Sequence, residues 1–453
     1  MEQNINEYLN KIGKWWLEGY PDKEFYAQLV FEEENCSLKS EIIGIDLFRF
    51  LYNEQDKHYS KLIIYGEIEG TKFSLLMCSI KNGYTKQVDK NDIINGWICG
   101  MFITPAEIVY GGFHATNTTA ISVSIVEFEQ IEEFIHFETY KYNQLEGVKF
   151  IPTNNISIKT ANFTINISAH GKHEWNQNQF IFTNKIIVEF IFENKTSIDS
   201  MRKEIAIFRM LLSVLKLKIL QIINVQIIKN NFEGFTETYS NENIAYYYMN
   251  YSTKECKEIW PVPEFCIRYD IINSDFEGIV NKWYGMYSDA QPIVSLFYEV
   301  LTEKSTGINK FLNLSQALEV YSNMFRKDEV KALFVENERP KNPSKEPYLF
   351  YKILDLLLLL NCCLNLKDDH IRKLAQDMSD TRNYYTHYNK TKKQKALPYT
   401  DMFMVSRFMD YALLMLICLN LGIKMDVLKE KFYHPFYKST LKDLTNKYNS
   451  IPE

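Results

Sequence analysis

The sequence predicts an α+β chain of several domains, a β-rich N-terminal part followed by an all-α helical bundle. Three observations carry this. From Phe25 to about Lys195, short runs rich in β-branched and aromatic residues are separated by turn residues. Downstream of Pro292 those runs stop, and apolar residues recur at helical spacing over long stretches. The length, 453 residues with 46% hydrophobic and 24% charged residues, is that of a globular chain of two or three domains.

In chain order, alternation marks strands at Phe25–Leu29, Phe163–Ile167 and Ile187–Ile191. Tyr65 to Thr71 reads as a hairpin, with Gly66 and Gly70 available for unusual backbone angles. A helix is expected from Ser197, with Met201, Ile205, Phe208 and Leu212 on one face. A strand-like run spans Ile219 to Ile228, and a polar, tyrosine-rich stretch follows to about Ser252. Character changes over Tyr269 to Tyr287, which places a boundary near residue 285 between domains 1–285 and 286–453. A further break near 150–200 would divide the first of these. Helical patterns then cover Ile293–Leu301, Leu312–Phe325, Pro347–Leu366, Asp369–Tyr388, Asp401–Leu421 and an amphipathic tail from Val427 to Tyr448.

Bulk properties narrow the function classes. A net charge of −6 argues against a chain coated in nucleic acid, so any RNA contact must be local. The eight cysteines form no CxxC pair and no Cys/His ladder, and mostly sit in apolar runs, as free thiols in a reducing compartment do. No secretion signal opens the sequence, and the apolar segment Ile353–Leu366 is too short to span a bilayer. The expectation is a cytoplasmic chain without membrane contact. Phosphate-binding and dinucleotide glycine loops, HExxH and Gly-x-Ser-x-Gly are missing, so no cofactor and no metal are expected.

Against that background one segment carries chemistry: Asp380-Thr381-Arg382-Asn383-Tyr384-Tyr385-Thr386-His387. An arginine can grip a phosphate through its planar fork, and a histidine can move a proton near neutral pH. Nine arginines and eight histidines give only about 0.16 chance matches to Arg-x4-His, fewer with Asn383 required. The alternative is a solvated helix end with a lone histidine. The apolar stripe Ile371, Leu374, Ala375, Met378 continues onto Arg382 and Tyr385. A core-facing arginine is costly unless paired or offered an anion. Asn383 and His387, four residues apart, share a different face, and His387 lies about 140° from Arg382. One straight helix therefore cannot aim both groups at one phosphate. The helix must end or kink, or a second copy must complete the site.

Lys390, Lys392, Lys393 and Lys395 follow, with no acidic residue between Thr381 and Thr400. They suit a salt-sensitive phosphate contact, or simply a solvated loop before Pro398. Tyr384, Tyr385 and Tyr388 could stack bases. Glu319, in an otherwise apolar helical pattern, is placed to pair with Arg382 or Lys327 as support. His170-Gly171-Lys172-His173 lacks metal-ligand spacing and reads as a turn between strands.

Arg382-Asn383-Tyr384-Tyr385-Thr386-His387 resembles the motif of the HEPN superfamily: Arg, a polar residue, then His. Phe311 to Glu319 is similar to the first helix of its ApeA-like branch. Gly13-Lys14-Trp15-Trp16-Leu17, Leu29-Val30-Phe31, Tyr65-Gly66 through Gly70 and Phe73-Ser74-Leu75-Leu76 resemble the ApeA N-terminal domain. The resemblance implies an anti-phage abortive-infection protein with a HEPN-type helical bundle that cleaves RNA, tRNA among the candidates, commonly as a homodimer with a composite site. Residues 1–285, β-rich and without a catalytic constellation, are assigned to control, with an unknown phage-derived trigger as their expected partner. On this reading Arg382, Asn383 and His387 are catalytic, and the four lysines with Tyr384 and Tyr388 bind RNA. Two other classes stay open: an RNA- or nucleotide-binding sensor without catalysis, and a β-rich module that controls a partner toxin.

Overall fold

The structure is a computed structural model that describes residues 5–32, 35–44, 50–51, 53–55, 62–88, 96–116, 118–129, 131, 134–135, 140–143, 147–150, 155–176, 179–229, 244–249, 266–301, 307–338, 346–388, 390–431 and 435–450. The chain forms two compact units. One comprises Met1–Glu129, Glu138–Ile205 and Gln221–Glu258, the other Gln130–Phe137, Ala206–Leu220 and Ile259–Glu453.

The first unit is built on strands β1 Ile12–Leu17, β2 Phe25–Glu32, β3 Asn35–Gly44, β4 Ile64–Ile68, β5 Thr71–Leu76, β6 Ser79–Val88, β7 Gly96–Thr104 and β8 Glu107–Gly111. These are followed by β9 Ile121–Phe128, β10 Tyr140–Asn143, β11 Gly147–Phe150, β12 Ile156–Lys159, β13 Phe163–Asn176, β14 Gln179–Thr196, β15 Ile222–Ile228 and β16 Ile244–Met249. Fourteen of them make one antiparallel sheet, in the order β12-β13-β14-β9-β15-β16-β8-β5-β4-β1-β2-β3-β7-β6, while β10 and β11 pair separately. The alternating strands behave as their patterns require. In β1, Trp15 and Leu17 are buried while Lys14 and Trp16 are half-exposed.

One core cluster of this unit gathers around Trp15, Leu29, Phe73 and Tyr110. Trp15 donates its Nε1–H to the Ala27 carbonyl at 3.0 Å. Its ring crosses Gly66, where a Cβ would come within 2.0 Å of it. Only glycine fits there, which accounts for the pairing of tryptophan and glycine across β1 and β4. The β4–β5 hairpin turns through Glu69 at φ 51° and Gly70 at φ 82°, the two positive angles of a type I′ turn.

Helix α1, Ile198–Lys216, starts where Ser197 Oγ accepts the backbone N–H of Ser200, and buries Met201, Ile205, Phe208 and Leu212. It contributes residues to both units. The second unit continues with α2 Phe276–Leu301, α3 Ile308–Phe325, α4 Lys327–Glu338, α5 Leu349–Leu359, α6 Asp368–His387, α7 Tyr399–Asn420, α8 Met425–Lys431 and α9 Pro435–Asn449. Helix α7 is long and apolar enough to cross a membrane. Most of it is buried, and Tyr321 of α3 donates to its Leu416 carbonyl at 2.9 Å, as for the central helix of a bundle.

Several expectations from the sequence need correction. The segment His170–His173 is not a turn but lies within β13, its residues paired in register with Phe182 to Lys185 of β14. Within the tyrosine-rich stretch, to which the sequence assigned no element, Ile244–Met249 form β16, which pairs with β15 and β8 near the middle of the sheet. Helix α2 does not begin after Pro292. It starts at Phe276 and carries Pro292 inside it. The cost of an interior proline, about 3 kcal/mol, is offset by a face that buries Phe276, Ile279, Val280, Trp283, Ile293, Val294 and Phe297. Helix α4 carried too weak an apolar stripe to be read. The stretch 347–366 breaks at Leu360, and the tail 427–448 divides into α8 and α9.

Candidate active site

Helix α6 is seated by its apolar stripe: Ile371, Leu374, Ala375 and Met378 are fully buried. One to two turns further on, the same stripe reaches Arg382 and Tyr385, both half-buried. The guanidinium would destabilise the bundle if unpaired. Its Nη2 donates to Glu319 Oε2 of α3 at 3.1 Å. The second carboxylate oxygen, Oε1, accepts from Lys352 Nζ of α5, also at 3.1 Å. Because α3 packs against both α5 and α6, three helices converge on one carboxylate. Lys327, the other partner considered for Glu319, is not part of this arrangement.

His387 is the last residue of α6 and is exposed. Tyr388 follows in the left-handed conformation, φ 46° and ψ 38°, which stops the helix. Five residues separate His387 from Arg382, which is about 140° around the axis. Within one chain the guanidinium is therefore drawn toward Glu319 while the imidazole stands at the open helix end. Asn383 is half-buried between them, and among the described residues no hydrogen bond joins it to His387.

Aromatic rings line this end of the helix. Tyr384 meets Tyr385 edge-on with centroids 4.8 Å apart and lies 6.5 Å from Tyr388, which is 78% exposed. The lysine run forms a 3-10 helix, Lys390–Lys395, packed on α6 rather than an open loop. Lys393 and Lys395 are exposed, and the side chains of Lys390 and Lys392 lie outside the described residues.

Two structural supports were not read from the sequence. Thr381, fully buried, donates to the Asp377 carbonyl and accepts the Leu397 backbone N–H at 2.9 Å, which staples the chain after the lysines to α6. Asp377 accepts from Lys373 Nζ at 2.6 Å and from the Tyr448 hydroxyl at 3.1 Å, which ties α9 to α6. Burial, and then the Asp377 charge, push the Tyr448 phenol well above its ordinary range, so it remains a donor. The third residue missed is Lys352. With Asp355 it is one of only two charges in the apolar stretch 347–366, and both are paired, Asp355 with Arg326 through two bonds of 2.8 and 2.9 Å. An isolated charge in such a stretch is a signal that a partner waits on a neighbouring helix.

The profile of the family described as ApeA N-terminal domain 1 matches residues 10–283, more than half of the chain. That of the Apea-like HEPN domain matches residues 312–427. The chain belongs to the ApeA-like HEPN family. The HEPN match takes in Glu319, Lys352, Arg382, Asn383 and His387, and membership implies a ribonuclease-type or abortive-infection function. Neither the curated proteins nor the solved structures contain a match.

Proposed function

We propose that this chain is a metal-independent endoribonuclease acting in abortive-infection defence against phage. The observation that carries the reading is the end of α6 in a HEPN domain. There an arginine is oriented by a carboxylate, and a histidine stands exposed one and a half turns later. In the proposed step the ribose 2′-oxygen attacks the adjacent phosphorus and the bond to the 5′-oxygen breaks, leaving a 2′,3′-cyclic phosphate and a 5′-hydroxyl. A histidine takes the 2′-hydroxyl proton, and a histidine protonates the departing 5′-oxygen. Arg382 offsets charge building on the phosphate, and Asn383 orients His387 or a phosphate oxygen. Lys393 and Lys395, with Lys390 and Lys392, hold the RNA backbone, while Tyr384 and Tyr388 offer rings for unstacked bases.

Since Arg382 and His387 diverge on their helix, the working site is shared between the helical domains of a homodimer. The N-terminal domain, residues 1–285, holds the enzyme in check in the cytoplasm until a phage-derived trigger binds. That trigger must favour the active arrangement over the resting one, or it shifts nothing. Purified chain incubated with total cellular RNA, tRNA included, tests the reading. The parental chain should cut it and His387→Ala and Arg382→Ala should not. RNA that is bound but left intact by the parental chain would instead favour the non-catalytic sensor.

A further inference from the structure

Arg382, Lys352 and Glu319 form a cluster whose charges do not cancel. Their side chains are 23%, 15% and 24% exposed, so all three are largely withdrawn from water yet still reachable from it. Each cation holds a different oxygen of the one carboxylate at 3.1 Å. Among the described residues neither cation has a second ion-pair partner, and one positive charge is left over. A lysine near a surface ordinarily carries its ammonium out to water along its flexible stem. Here the ammonium is instead drawn inward, beside a second cation, with a single carboxylate between them. An anion of single charge arriving from solution would balance the cluster.

We infer that Lys352 is a second phosphate-binding cation of this site. The ligand class is a phosphodiester monoanion, whose single charge balances the cluster. The nitrogens of Arg382 and Lys352 are held on the two oxygens of one carboxylate, so the two cations are gathered at one place from which they can share an incoming phosphate. Glu319 holds them there, so it positions both cations. Lysine acts as a point charge and arginine as a fork, which gives the pair one directional and one adaptable contact. The assignment rests on the ribonuclease reading only in taking the phosphate from RNA.

The test measures binding apart from cleavage. In the full-length His387→Ala background, a short fluorescein-labelled single-stranded RNA is titrated across a series of KCl concentrations. Adding Lys352→Met should weaken binding and lower the slope of log K against log salt by about 0.7, the loss of one phosphate contact on a single strand. Lys352→Arg should restore the slope. A structural role would change the unfolding temperature and leave the slope alone. Glu319→Gln in the same background is the independent check, because it frees a second positive charge and should steepen the slope by a similar amount. An unchanged slope in a folded Lys352→Met or Glu319→Gln protein overturns the assignment. If parental protein still cuts RNA, the ribonuclease reading survives that result. If the slope shifts as expected but parental protein cuts nothing, the phosphate seat stands and the ribonuclease reading falls. A chain that neither binds nor cuts RNA overturns both.

Discussion

At the scale of residues, the two groups proposed to carry the chemistry differ in how they are held, and their variants should differ accordingly. His387 is exposed and makes no hydrogen bond to Asn383, so His387→Ala should change stability by no more than about 0.5 kcal/mol. Its cleavage rate should nonetheless fall by about 10²–10⁴, the range for a lost proton-transfer group. Arg382→Ala should cost about 1 kcal/mol of stability, because Glu319 keeps Lys352 as a partner. Its rate should fall by about 10²–10³ through lost charge stabilisation. Thermal unfolding and single-turnover cleavage on the same preparations separate the two effects. An unaltered rate in either folded variant removes that residue from the mechanism. The stripe that runs from Ile371 through Met378 to Arg382 was legible in the sequence, because helical period alone determines it. The place of Lys352 was not. Its partner lies 33 residues earlier on another helix, and only the packing of α3 against α5 brings the two together.

At the scale of elements, the termination of α6 is the feature that exposes the histidine. Tyr388 occupies the left-handed position, where a side chain is disfavoured and glycine is the usual choice. Tyr388→Gly should therefore stabilise the helix end by a few tenths to about 1 kcal/mol. It should also weaken binding of single-stranded RNA by about 1–3 kcal/mol, the worth of one stacked base. Opposite signs in thermal unfolding and RNA binding are the expected outcome; a destabilised protein with unchanged affinity would make the ring a packing group for Tyr384. Elements with an undisturbed period, such as β2 and α6, were readable from the chain. Those that were misread had a competing local signal. Pro292 hid the first half of α2, the His-Gly-Lys-His sequence looked like a turn inside β13, and polar tyrosines masked the sheet strand β16. In each case burial or ladder pairing overrode local propensity.

At the scale of the whole molecule, the divergence of Arg382 and His387 on α6 is the reason for proposing a site shared between two chains. Mixing an Arg382→Ala chain with a His387→Ala chain should recover part of the activity that each lacks alone, because a mixed dimer can present one intact set of groups. No recovery, together with an active parental monomer in sedimentation, would confine the site to one chain. The order of a β-rich part before a helical one was readable from the change of period along the chain. The composition of the two compact units was not, since the helical unit recruits Ala206–Leu220 from the end of α1, and Trp283 donates to the Ile207 carbonyl at 2.8 Å. Contacts of such sequence separation leave no local trace. The central claim, that a histidine and an arginine on α6 cut RNA through its own 2′-hydroxyl, is tested most directly by the ends of the products. Parental protein treated with EDTA should still cleave RNA and leave 2′,3′-cyclic phosphate and 5′-hydroxyl ends that vanish with His387→Ala. Cleavage that stops in EDTA, or that leaves 3′-hydroxyl ends, would contradict it.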